Sequence, residues 1–309
     1  MVTAEQILTK NGQMIDDKGV TLTRPLIMRL SFYCVVEVCI EDPDEPKDPE
    51  TPHFIPAYSQ KVKASKEFQT FQFDHSFVLN SLKSSMEGYV FHNQPLDTDD
   101  LLEQTVKLFN SCKTSLELFD MLHNMRAYDD STYAHSLNVA LICRRIGKWL
   151  KVDAATLDTL TLCGLLHDMG KLKIPDEILN KPGKYTDEEF DLVKRHTKFG
   201  YELLKTLNID PHIKKAALLH HERCDGSGYP LKATQKDLDD FSMIVAIADV
   251  YDAMTAARSY RAPLCPFQVI ERFEQEGLQK YKPKFILTFL QHIASTYQNN
   301  RVLLSNGQS

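Results

Sequence analysis

Residues 220–230 read HHERCDGSGYP, and residues 167–171 read HDMGK. Two adjacent histidines, an earlier His–Asp pair and a glycine-flanked Tyr-Pro loop form the vocabulary of a metal site. The surrounding sequence says on what scaffold. Past residue 100, apolar periodicity places five helices, and the polar residues of interest fall on their apolar stripes. His135 aligns with Val139, Ile142, Ile146 and Trp149, while Leu157, Leu160 and Gly164 lead into His167 and Asp168. Thr186 and Glu189 form a capping-box pair, which predicts a helix with Phe190, Val193, His196, Gly200, Leu203 and Leu207 inward. Ile213, Ala216 and Ala217 lead to His220 and His221. Ile244, Ile247 and Ala248 flank Asp249 and Asp252, which share a face at i, i+3.

One histidine on an apolar stripe is ordinarily a satisfied core residue. Here five of the eleven histidines (135, 167, 196, 220 and 221) sit on such stripes. Burying five imidazoles and two or three carboxylates without compensation is strongly unfavourable, and metal coordination removes the difficulty. A His/Asp set without a well-placed cysteine argues against a structural zinc site and suits Fe, Mn or another divalent ion that favours N and O ligands. The set is too large for one ion that keeps an open position. Two ions about 3.5–4 Å apart, bridged by a carboxylate, fit better, with Asp168 as the natural bridge. Lys171 lies one turn on, placed to reach a phosphate oxygen or to pair with Asp252. Arg258 and Arg261 can clamp a second phosphate. Tyr229 offers a ring to a base and a hydroxyl to a phosphate. His53, His75, His92, His123, His212 and His292 lie outside these patterns and read as surface or incidental residues, and Cys224 as a loop cysteine rather than a ligand.

The remaining composition sets bounds. The chain has 309 residues, 43% hydrophobic and 25% charged, with a net charge of −6, an ordinary globular balance. Mild acidity gives no electrostatic case for a nucleic acid polymer or an anionic membrane as partner. The longest apolar stretch, Leu26 to Ile40, is interrupted by Arg29 and Glu37, so no transmembrane helix is expected. No basic-then-apolar leader opens the sequence. Seven cysteines with no CxxC pair read as reduced, several within helical patterns, and the expected compartment is the cytoplasm.

Residues 1–100 read as a small N-terminal domain with some β-strand and a regulatory or scaffolding role. Asn11-Gly12 and Lys18-Gly19 are turn signals, and Val35 to Ile40 reads as a strand. The acidic, proline-rich run from Glu41 to Glu50 reads as a loop. The pattern turns helical from about Ala57, and residues 101–309 are expected to form a mainly α domain.

The ordered series resembles the HD-GYP family, the branch of the HD phosphohydrolases that degrades cyclic di-GMP. It comprises His135, HDMGK at 167–171, IPDEILNKPGKYTDEEF at 174–190, His196 with Gly200, HHERCDGSGYP at 220–230 and ADVYDAMTAARSYR at 248–261. The resemblance implies an HD-domain helical bundle and hydrolysis of a cyclic dinucleotide to pGpG or GMP by a bridging hydroxide on a binuclear centre. By position, His135, His167, Asp168 and Asp249 would bind one metal. Asp168 would bridge to a second held by His196, His220 and His221. Lys171 and Asp252 would stand near the nucleophile, and Tyr229, Arg258 and Arg261 would contact substrate. Family members holding a third metal place a glutamate one turn before the first histidine. That position is Ser131, so two metals are expected, with iron ahead of manganese or another transition metal. Asp129 and Asp130 offer only a weak route to a third.

Three functions compete at this stage. The leading one is a cyclic di-GMP phosphodiesterase. The second keeps the chemistry and takes 3′,3′-cyclic GMP-AMP. The third is a non-hydrolysing nucleotide sensor or a scaffold docking diguanylate cyclases, which the complete ligand set disfavours. A homodimer is compatible with each.

Overall fold

The computed structural model describes residues 62–125, 131–181, 183–256, 264 and 266–298, together with 3, 6–8, 14–23, 26, 27, 30, 35 and 38–40. The chain forms two compact units, Met1–Ser65 with Tyr297–Ser309, and Lys66–Thr296.

In the smaller unit, β1 (Ile7–Leu8) and β2 (Met14–Asp16) pair antiparallel. The Lys18-Gly19 turn is present, with Gly19 at φ +83°, where a side chain would be strained. Of the strand expected over 35–40, Ile40 forms an isolated antiparallel bridge with Thr3. Ile7, Leu26 and Leu30 make a small apolar core with Val20, Leu22, Val35 and Val38 against it. The Asn11-Gly12 signal and the acidic run 41–50 lie outside the described residues.

The larger unit is helical. Its first helix, α1 (Lys66–His92), buries Phe68, Phe71, His75, Val78, Leu82 and Met86 at three- and four-residue spacings, the stripe of a helix packed on one side. α2 (Thr98–Ser111) and α3 (Ser115–Met125) follow. At the centre stands α4 (Thr132–Trp149), started by Ser131, whose hydroxyl accepts the Ala134 N–H. α5 (Ala154–Leu166), capped by Asp153, runs into a 3-10 turn over Met169–Lys173. A short α6 (Asp176–Leu179) precedes α7 (Asp187–Lys194), α8 (His196–Leu204) and α9 (Pro211–Leu219). α10 (Asp240–Thr255), α11 (Pro266–Glu276) and α12 (Pro283–Gln298) close the unit.

α4 packs along α5 and α10, α9 packs against α5, α8 and α10, and α8 rests on the 3-10 turn. The α4–α5 crossing is close because Gly164 sits on the backbone of Ala140, with no room for a methyl group between them. Aromatic contacts hold α12: Tyr251 of α10 meets Phe289 edge-on at 5.2 Å, and His292 stacks on Trp149 at 4.9 Å.

Three expectations change. The helix predicted from Thr186 is capped as expected, with Thr186 and Glu189 bonded reciprocally, but it breaks at Arg195 into α7 and α8. Phe190 therefore does not face inward; it is exposed, and Leu204 takes the buried position on α8. His75, read as incidental, is buried on α1 with Nε2 3.3 Å from Asn138 Oδ1. Among the described cysteines none is disulfide-bonded: Cys112, Cys143 and Cys163 are buried, Cys224 half-buried and Cys39 exposed. Among the described residues, no helix is long and apolar enough to cross a membrane.

Candidate metal centre

Three of the five histidines occupy the same kind of place. His167 ends α5, His220 ends α9, and His196 follows the end of α7. Each ring turns back onto a carbonyl in the last turn of the helix before it. His167 Nδ1 lies 2.7 Å from the Gly164 carbonyl, His196 Nδ1 2.6 Å from that of Val193, and His220 Nδ1 2.9 Å from that of Ala216. A carbonyl only accepts, so each Nδ1 donates, and the neutral ring presents the Nε2 lone pair inward. This is how proteins orient imidazoles as metal ligands. The negative ends of the α5 and α9 dipoles are thereby gathered around one site, which favours a cation.

The inward atoms form two groups. Asp168, His196, His220 and His221 offer ligand atoms within 4.8 Å of one another, and so do His135, His167 and Asp249. Asp168 stands between them. Its Oδ2 lies 3.4 Å from His167 Nε2 and 3.6 Å from His135 Nε2, while its Oδ1 lies 3.4 Å from His196 Nε2 and 3.7 Å from His220 Nε2. Asp249 also reaches both groups, with Oδ1 3.1 Å from His135 Nε2 and Oδ2 3.6 Å from His221 Nδ1.

The donor set fits divalent cations. His167 Nε2 and Asp168 Oδ1 are fully buried and have no hydrogen-bond partner, a costly arrangement unless an ion fills it. His196 Nε2 and His220 Nε2 are 3.3 Å apart with both lone pairs directed inward. Two acceptors at that distance need a cation between or beside them.

Electrostatics agree. Burial lowers His196 to about 4 against the pull of Asp168, and lowers His220 to about 3, helped by His167. Burial and then His220 hold His221 well below the ordinary value. These rings are neutral at neutral pH, as ligands must be. Burial pushes Asp168 up, but the Lys171 ammonium outweighs it and keeps the carboxylate ionised; burial pushes Asp249 up as well, and its hydrogen bond with His135 outweighs that. His135 differs. Burial disfavours its charge, yet Asp249 and Asp252 outweigh that and raise it to about 9, with Asp252 Oδ2 2.7 Å from Nδ1.

Lys171 pairs with Asp168 Oδ2 at 2.5 Å and is partly exposed, because a 3-10 turn stacks residues i and i+3. The pairing with Asp252 offered by the sequence is not formed; Asp252 holds His135 instead. Tyr229 lies over His221, ring centroids 4.7 Å apart, and meets Phe190 edge-on at 6.3 Å. Arg258, Arg261, Asp129 and Asp130 lie outside the described residues. Cys224 belongs to neither ligand group; its N–H bonds the Lys280 carbonyl and its Sγ is 3.7 Å from Met243 Sδ.

Two features escaped sequence reading. Gly170, inside HDMGK, lies directly on the His196 carbonyl and the Gly200 N–H, where a Cβ would overlap both. Glu222, between the histidine pair and the glycine loop, is buried and accepts the Leu231 and Ala233 amides. An acid placed directly after two inward histidines was the available signal for the second.

With this geometry in view, a family model described as "HD domain" matches residues 100–285. A cyclic di-GMP phosphodiesterase of Thermotoga maritima is 35% identical, the match covering 57% of this chain and 48% of that protein. The 3′3′-cGAMP-specific phosphodiesterase 2 of Vibrio cholerae is also 35% identical over 183 residues, 58% of this chain and 35% of that protein. Matches thus span between about a third and a half of these relatives' length. Bd1817, an HDG"Y"P protein from Bdellovibrio bacteriovorus, superposes with a TM-score of 0.60 at 14% identity, covering 96% of this chain and 94% of its own, which establishes the common fold. With more than half its length matched and the helices, ligand groups and motif order in place, the chain belongs to the HD-domain family and carries the motif series of its HD-GYP branch.

Proposed function

We propose that this protein is a metal-dependent phosphodiesterase that hydrolyses cyclic di-GMP to pGpG, GMP or both. The observation that carries the reading is Asp168, whose two oxygens face two separate groups of inward imidazoles. His135, His167, Asp168 and Asp249 would hold one ion, and Asp168, His196, His220 and His221 the other. The N/O donor set favours iron, then manganese or another transition metal. Two ions are proposed rather than three because Ser131 is the N-cap of α4 in the place where a glutamate would ligate. When bound, such ions lower the pKa of water and neutralise phosphoryl charge.

The chain's own groups supply the rest. Lys171, paired to Asp168 yet partly exposed, can transfer its ammonium to a phosphoryl oxygen as charge grows there. Asp252 fixes His135 in orientation. Tyr229 makes a wall beside His221 for the nucleotide, and Arg258 and Arg261 are assigned to phosphate by motif position. In the reaction a water oxygen bonds to phosphorus, the bond to the bridging sugar oxygen breaks, and that oxygen takes a proton. Residues 101–309 form the proposed catalytic domain, with 1–100 as its regulatory partner.

The test is anaerobically prepared full-length protein, loaded with Fe(II) or Mn(II), incubated with cyclic di-GMP and followed by chromatography. Linear pGpG or GMP is expected. The His167→Ala and Asp168→Ala variants should give none while keeping the helical circular dichroism spectrum. Intact cyclic di-GMP from protein shown to hold its metals would overturn the proposal. A second reading, 3′,3′-cyclic GMP-AMP as preferred substrate, is favoured by relatives of that specificity at the same 35% identity. Turnover of both dinucleotides side by side decides between them.

A further inference from the structure

The loop after the histidine pair leaves a large apolar side chain in solvent. Leu231 is exposed, and Asp225 turns inward on its own loop, accepting from the Ser227 N–H and hydroxyl. Besides the Tyr229 ring over His221, what ties the loop to the end of α9 is polar. Glu222 is 2% exposed, and its two carboxylate oxygens are each used on a loop amide, Leu231 at 2.5 Å and Ala233 at 3.0 Å. Gly228 lies flat on the chain at Glu222, where a Cβ would come within 2.5 Å of the His221 carbonyl. The Tyr229 N–H then donates to that same carbonyl at 3.3 Å, which leaves the Tyr229 ring over His221. One buried carboxylate thus connects two places: the helix end that carries His220 and His221, and the loop that carries Tyr229.

We infer that Glu222 is a positioning residue that clamps the Tyr229 loop over His221 and thereby sets affinity for the nucleotide part of the substrate, without taking part in holding metal. This rests on the proposed reading that Tyr229 meets the substrate. A glutamine at 222 keeps size and shape but sets an NH2 donor against one of the two amide donors. The base of the loop stays closed independently, through the Asp225–Thr234 bridge and the Gln235 N–H to the Cys224 carbonyl. The variant is therefore expected to fold and to move the loop locally.

The experiment uses full-length metal-loaded wild type, Glu222→Gln, Tyr229→Ala and the double variant. Substrates are cyclic di-GMP and bis(p-nitrophenyl) phosphate, a diester with no nucleobase. For Glu222→Gln we expect wild-type metal content and a KM for cyclic di-GMP raised about tenfold, the scale of a lost hydrogen bond to a charged group, with kcat little changed. Turnover of the aryl diester should remain near wild type. Amide exchange at Leu231 and Ala233 should accelerate while α9 stays protected. In the Tyr229→Ala background the Glu222 effect on KM should largely vanish, since residues acting through one another are non-additive. Parallel loss on both substrates, loss of metal, an unchanged KM, or full additivity with Tyr229→Ala overturns the inference. Wild type that holds metal but cleaves neither diester overturns the proposed function, and this inference with it. Should Glu222→Gln not fold, Glu222→Asp, with its carboxylate one methylene short, carries the same test.

Discussion

His135 sits between two carboxylates, while His196 and His220 sit among other imidazoles, and the difference gives the metal-free protein a two-sided pH response. His135 is raised from 6.5 to about 9. Its contribution to stability is complete below the unfolded value and is lost as pH rises through about 9. His196 and His220 are lowered to about 4 and about 3. Below 6.5 the unfolded chain binds protons that these buried rings refuse, so stability falls as the pH drops from there. Thermal melts of chelated protein should therefore show a maximum near neutrality, declining toward both pH 4 and pH 9. A flat alkaline arm would contradict the carboxylate pairing of His135. Ser131 supports a second prediction. Replacing this N-cap by alanine should cost about 1 kcal/mol, read as a lower melting temperature, with the metal content unchanged. A drop in bound metal would make Ser131 a ligand after all. That these side chains would gather in one place was legible in the sequence, because polar residues on apolar stripes need an explanation. The tautomers were not, since they depend on helix ends meeting carbonyls that only the fold brings near.

At the scale of elements, the site is built from contacts in which backbone meets backbone. Gly164 admits α5 against α4, Gly170 admits the 3-10 turn against α8, and Gly228 admits the loop against the end of α9. Each glycine lies within three residues of a proposed ligand or of Tyr229, and Gly170 and Gly228 also touch the backbone of His196 and His221. Gly170→Ala would press a methyl group into the His196 carbonyl and should destabilise by about 1–3 kcal/mol, the range for overpacking. It should also lower metal content by displacing His196. Urea melts and metal analysis check both; unchanged metal content would show that α8 yields without moving its histidine. Periodicity found the elements that carry the ligands. It did not find the break at Arg195, because the apolar spacing runs through it: Val193 and His196 are both buried on either side. Nor did it find that Phe190 turns outward, since the break redirects the face of α7.

For the whole molecule, the apolar core and the metal centre are separable. Buried Phe68, Leu82, Phe109, Leu137, Leu141, Phe273 and Phe289 hold the helices without help from the imidazoles. Chelated protein should thus keep its helical spectrum yet melt at a lower temperature. Restoring an ion to about 100 times its dissociation constant should return about 2.7 kcal/mol for the first ion bound. Collapse of the helical spectrum on chelation would mean that the ions are structural.

Two carboxylates, Asp168 and Asp249, each touch both groups of imidazoles. On the proposed two-ion reading, a cation entering one group would draw on a carboxylate that the other shares. The occupancy of the two positions would then be a single linked equilibrium, in which each ion alters the other's affinity by the same factor. Titration with metal should depart from two independent identical sites, and the sign of that departure will tell whether the shared carboxylates draw the second ion in or hold it off.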